Sequence, residues 1–168
     1  MYFKIIVVLI CAQLYGIIGV QNANAELDRS WDSAACARMA AVSVLLENIA
    51  RQPEAADTLI YYSLLYLGGY NNNNKKPSPG LRAARLRTVA AGCKAIALQP
   101  EAAEDILSTA RLFCGPPLDS DRYTPEVMKA YMEAVGSMLS AVVQNPAAID
   151  AIIGFFDELT GRPQDNPS

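Results

Sequence analysis

Three stretches of the chain repeat one pattern of apolar and polar positions. Counted back from Pro53, Pro100 and Pro146, apolar residues stand 14 positions before (Met39, Leu86, Met132), 11 before (Val42, Val89, Val135), seven before (Leu46, Cys93, Leu139) and four before (Ile49, Ile96, Val142). Steps of three and four residues place such side chains on one face of a helix. The segment around each proline recurs as well: IARQPEAADTLI at 49–60 returns as IALQPEAAEDIL at 96–107 and, more faintly, as VVQNPAAIDAII at 142–153. The prolines are 47 and 46 residues apart, and each is followed 15 residues later by a glycine, Gly68, Gly115 and Gly161. Proline suits the first position of a helix, where its missing N–H is not needed, and glycine suits the position just past the last. Each proline therefore divides a helical hairpin. Ser78-Pro79 and Thr124-Pro125-Glu126 read as N-cap, first helical position and acidic first turn, and Ser30 or Asp28 offers a cap for the first helix. The pattern predicts an all-α protein with helices near 32–51, 54–67, 80–98, 101–114, 125–144 and 147–160. These form three tandem hairpins in a short solenoid or a compact bundle, with the recurring apolar positions as the core.

Between the hairpins, 68–80 contains Asn71 to Asn74 and Lys75-Lys76-Pro77, and 115–123 contains Pro116-Pro117 with Asp119 and Asp121; both read as solvated loops. Residues 162–168 hold two prolines and no apolar residue, and are expected to be disordered. At the other end Lys4 precedes an apolar run at 5–18, then Gln21, Asn22 and Ala23-Asn24-Ala25. That is the layout of a signal peptide with a small-x-small cleavage site, and the run falls short of the roughly 20 apolar residues a membrane span needs. The expectation is a signal peptide at 1–25, a single α-helical domain at 26–161, and a secreted, extracellular protein with no membrane attachment after cleavage.

A period of 46 to 47 residues built from helix pairs resembles HEAT and armadillo-type repeats. That resemblance implies a stacked array, for which three repeats are about the minimum that buries the stacking faces. The chain is also similar to the N-terminal domain of spider-silk proteins. Trp31 corresponds to that domain's early tryptophan, VLICAQL at 8–14 looks like its leader, and 127–159 around Asn145-Pro146 looks like its last two helices, while helix 101–114 is additional. This second resemblance implies a secreted domain that dimerises through acidic and basic surfaces, with Asp57 and Asp150 near its acidic positions.

Composition narrows the chemistry. Of 168 residues, 52% are hydrophobic and 18% charged, which is a folding rather than a disordered composition, and histidine is absent. Without imidazole there is no Ser-His-Asp or Cys-His nucleophile pair and no His-based zinc site. Carboxylate neighbours such as Glu104/Asp105 and Asp157/Glu158 read as solvation and capping, and no phosphate-cradling glycine loop is present. No catalytic residue, cofactor or metal site is expected. Beyond the leader, 13 basic and 17 acidic residues remain, an acidic balance that does not suit a nucleic-acid binder.

Three cysteines follow the leader, Cys36, Cys93 and Cys114. Cys93 and Cys114 lie on the arms of one hairpin at levels about 10 Å apart, given 1.5 Å of rise per residue. Cys36 is nearly level with Cys114 if the hairpins stack in step, so a Cys36–Cys114 disulfide is expected; otherwise all three are small core residues. Lys75, Lys76, Arg82, Arg85, Arg87 and Lys94 fall between Thr58 and Pro100 with no acid among them. Such a segment is either a solvated face or a docking site for an acidic partner. Arg82 shares a helical face with Arg85, and Arg87 another with Lys94. Tyr62, Tyr66 and Tyr70 are spaced four apart, a stripe suited to core packing or to an interface. The sequence thus predicts a secreted, non-catalytic protein that binds a protein partner or forms a homodimer, with Lys75, Lys76, Arg82, Arg85, Tyr62, Tyr66, Tyr70 and Trp31 as the contact surface. The alternative is a carrier of a small apolar ligand in a cavity between helices.

Overall fold

The computed structural model describes residues 25–70, 77–116 and 124–161. Among them are six α-helices and no strand: α1 Ala25–Arg51, α2 Ala56–Leu67, α3 Pro79–Leu98, α4 Ala103–Cys114, α5 Pro125–Gln144 and α6 Ile149–Thr160. The three hairpins turn at the expected prolines. The residue before each proline has left the helix in the same conformation, φ −142° and ψ 69° at Gln52, −142° and 81° at Gln99, −140° and 84° at Asn145. This is the extended direction that a following proline ring imposes. Each proline opens a 3₁₀ turn, Pro53–Ala55, Pro100–Ala102 and Pro146–Ala148, so the second helix starts two residues later than expected. At the far end Gly68, Gly115 and Gly161 have φ of 66°, 76° and 72°, the region that glycine enters without steric cost. Ser78 and Thr124 cap as expected, their side-chain oxygens accepting from the N–H of Leu81 at 3.1 Å and of Val127 at 3.3 Å. The first helix begins at residue 25 rather than 32. The tail at 162–168, and all of the leader except Ala25, lie outside the described residues.

The hairpins stack in chain order. Helix α3 is central, packed along its length against α1 on one side and α5 on the other; α4 lies on α1 and α3, α6 on α3 and α5, and α2 on α1. Helix α6 turns back from α5 through 119°. The stretch Ser33–Arg51 of α1 is long and apolar enough to cross a membrane by length and composition alone. Its Met39, Val42, Leu46 and Ile49 are nevertheless in the protein core.

The stacking follows one rule. The large apolar stripe of α1 turns toward α3, which answers with small residues at offsets of 16, 12 and 5 before its proline: Ala84, Thr88 and Ala95, all buried. The Thr88 hydroxyl ties the two helices, donating to the Met39 carbonyl at 3.0 Å and accepting from Ser43 at 3.1 Å. The large stripe of α3, Leu86, Val89, Cys93 and Ile96, is buried in turn, and α5 supplies Ala130, Ala134 and Ala141 at the same small-residue offsets. The Asn145 side chain crosses that junction to donate to the Ala97 carbonyl at 3.2 Å.

One part of the expected core is corrected. Met132 and Leu139 are 60% and 56% exposed, and Val135 and Val142 are only half-buried. They stand on the correct face of α5, but no described element follows on that side to cover them. What α5 buries instead is its small stripe and Val127.

Candidate interaction surfaces

The expected contact residues separate into two groups. Tyr62 and Tyr66 are exposed on α2, at 41% and 64%, and Tyr61 meets Tyr62 edge-to-face with ring centroids 5.4 Å apart. Helix α2 ends at Leu67, so Tyr70 does not continue the stripe. Its N–H donates to the Leu112 carbonyl at 2.9 Å, and its ring lies against Gly115. Arg85 stacks on that ring, 5.5 Å from its centroid, and donates to the Pro116 carbonyl at 2.6 Å. Arg85 is only 5% exposed, and burial lowers its pKa from the ordinary guanidinium value, an effect opposed by the neighbouring Cys114 and Tyr70. It is therefore a clamp on the end of α4, not a residue presented to a partner.

Arg38 of α1 does the same work from the other side, donating to the Phe113 carbonyl at 3.0 Å. Both arginines stand 15 residues before their prolines, a repetition in the sequence that marks them as structural. The Phe113 carbonyl is in the last turn of α4, where carbonyls have no partner within the helix and cations are favoured, and the Pro116 carbonyl lies two residues past that helix. The expected Cys36–Cys114 bond is not formed: no two described cysteines are at bonding distance. Cys36 is half-buried, while Cys93 and Cys114 are buried thiols. Burial pushes the Cys93 thiol up to about 12 and that of Cys114 to about 11, the latter restrained by Arg85 and Arg38.

The remaining described basic residues differ in their settings. Arg82 is half-buried, Lys94 is exposed, and Arg87 reaches Glu133 of α5 at 4.0 Å in an exposed pair of small energetic value. Lys75 and Lys76 lie outside the described residues; Trp31 falls in the early turns of α1. An open groove of about 580 Å³ runs between α4 and α6, with Glu104, Asp150, Asp157 and Glu158 on its walls. Arg111 braces it from α4 to α6 with a two-pronged pair to Glu158, 2.6 Å for Nη2 to Oε2.

The periodic reading missed a surface on the third hairpin. Met128, Met132, Leu139 and Val143 of α5 and Ile149 and Ile153 of α6 are all exposed, Val143 at 79%. They present on the order of 500 Å² of apolar side chain, at the upper end of the patch sizes found on monomers. The signal for it was in the sequence, because the repeat has no fourth hairpin within these residues. Comparison of the chain with protein-family models, with curated proteins and with solved structures finds no match.

Proposed function

We propose that the protein is secreted and non-catalytic, and acts through contacts with other proteins, its own copies included. The observation that carries this reading is the exposure of large apolar and aromatic side chains at both ends of the stack, Tyr62 and Tyr66 on α2 and Met132, Leu139 and Val143 on α5. Exposed apolar surface of this extent is costly in water and marks interaction sites. The order in which the hairpins pack supports the likeness to HEAT and armadillo-type arrays, which act as binding proteins. The basic segment, through Lys75, Lys76 and Arg82, adds an electrostatic contact that salt screens.

The test is expression of the full chain in a secreting cell, followed by N-terminal sequencing and chemical cross-linking of the medium. The expected result is a protein beginning at Glu26 that cross-links to itself or to a second protein. Retention inside the cell, or a medium that yields only uncross-linked monomer, would overturn the reading.

A further inference from the structure

The exposed residues at the two ends occupy the repeat positions that bury the junctions inside the chain. On the third hairpin, the stripe containing Met132 and Leu139 lies 14 and seven residues before the proline, where Met39, Leu46, Leu86 and Cys93 are buried by the next hairpin. Ile149 and Ile153 stand three and seven residues after the proline, positions where Ala56, Ile60, Ala103 and Leu107 are buried or half-buried. On the first hairpin, Tyr62 and Tyr66 stand nine and 13 residues after the proline. In α4 these positions are Thr109 and Phe113, and in α6 Phe155 and Leu159, all buried where those helices lie on the preceding hairpin. Ala37, 16 before its proline, is exposed, whereas its counterparts Ala84 and Ala130 are buried. Among the described residues, no hairpin follows at one end and none precedes at the other.

We propose that copies of this chain associate head to tail, the third hairpin of one receiving the first hairpin of the next as α1 receives α3 and α3 receives α5. This rests on the reading of the protein as one that works through protein contacts, and names the partner as a second copy. Each internal junction sets large side chains against small ones; the third hairpin offers an exposed large stripe, and the first hairpin carries Ala37, exposed, Ala41, buried, and Asn48, half-buried, at the small-residue positions. Pairing α5 with α5 would set Leu139 and Met132 against their equals and leave the tyrosines uncovered. The apolar area of the third hairpin, on the order of 500 Å², is more than half of the roughly 800 Å² each partner buries in a standard interface. Such a contact joins two different surfaces, so it repeats into an open chain or closes into a ring. None of the six exposed apolar residues of the third hairpin is charged, so this junction persists at salt concentrations that weaken a contact through Lys75, Lys76 and Arg82.

Two variants block one end each: Met132→Glu with Leu139→Glu, and Ala37→Glu with Tyr66→Glu. All four positions are exposed, and helical circular dichroism and the urea midpoint report that the variants remain folded. In sedimentation velocity the unmodified protein gains mass with concentration beyond a dimer, each variant alone is a monomer, and an equimolar mixture of the two forms a dimer and nothing larger. A first-hairpin variant that still dimerises alone would overturn the head-to-tail arrangement, since α5 would then pair with itself while self-association stood. A mixture that stays monomeric would place the association elsewhere. An unmodified protein monomeric at every concentration would overturn self-association itself, leaving the broader reading to cross-linking with other proteins in the medium.

Discussion

Leu46 and Leu139 are the same residue type at the same repeat position, seven before the proline, and differ in what covers them. Leu46 is fully buried between hairpins and Leu139 is 56% exposed. Shortening Leu46 to Ala removes the equivalent of three methylenes, about 2.4 kcal/mol at roughly 0.8 each. The cavity left in a packed core raises this to about 3 to 4 kcal/mol. Shortening Leu139 forfeits less than half of the transfer free energy and opens no cavity, and alanine's helix propensity returns a few tenths, so the cost is below about 1 kcal/mol. Urea unfolding at a concentration that keeps the protein monomeric is the assay. With a slope of about 1.5 kcal/mol per molar, Leu46→Ala moves the midpoint down by about 2 M and Leu139→Ala by about 0.5 M or less. Equal shifts would refute the assignment of α5's large stripe to the surface.

Gly92→Ala should destabilise by about 1 to 3 kcal/mol despite alanine's better propensity, because the added carbon clashes with the buried Phe155 ring; Gly136→Ala, with open space around it, should stabilise by about 0.5 to 1 kcal/mol, and a stable Gly92 variant would contradict the α3–α6 packing. The raised thiols of Cys93 and Cys114 predict a pH effect of definite sign. Unfolded thiols ionise near 8.5 while the folded ones hold their protons to about 12 and about 11, so stability is intact below pH 8.5 and falls as pH rises, by up to about 1.4 kcal/mol per unit for each group. Urea midpoints at pH 7, 9 and 10 should show the fall, and it should flatten in Cys93→Ala; a Cys93→Ala profile parallel to the parent would contradict it. Arg85→Ala should cost about 1.5 to 3 kcal/mol by removing a charged donor from the Pro116 carbonyl, whereas Lys75→Gln with Lys76→Gln should leave thermal stability unchanged.

The hairpins were legible in the sequence because their punctuation is local. Proline's ring and glycine's left-handed conformation act on the backbone at their own positions, and the boundaries at Gly68, Gly115 and Gly161 follow. The stripes of α1 and α3 were legible too, since each has a following hairpin that covers it. The stripe of α5 has the same period and is exposed, because burial depends on which element lies opposite and periodicity carries only the face. Arg85 was read as surface charge because arginine near lysines is usually solvated. It is held by the Pro116 carbonyl, two residues past the end of α4 and some 30 residues away in the chain. Tyr70 fell off the tyrosine stripe for a local reason: the helix ends at Leu67, and the glycine cap at Gly68 redirects the chain toward α4. The Cys36–Cys114 expectation took matching heights along the helices as proximity, and the described cysteines are not at bonding distance.

The head-to-tail junction can be trapped covalently. Inside the chain the Asn145 side chain reaches the Ala97 carbonyl at 3.2 Å, and the equivalent positions across the proposed junction are Gln52 of one copy and Val143 of the next, both exposed. In a background with Cys36 changed to Ser, Gln52→Cys and Val143→Cys proteins are mixed, oxidised mildly and run on a non-reducing gel. The account predicts a disulfide-linked dimer that forms in the mixture far faster than in either protein alone. Rapid dimerisation of the Val143→Cys protein by itself, or equally slow bonding in all three samples, would contradict it.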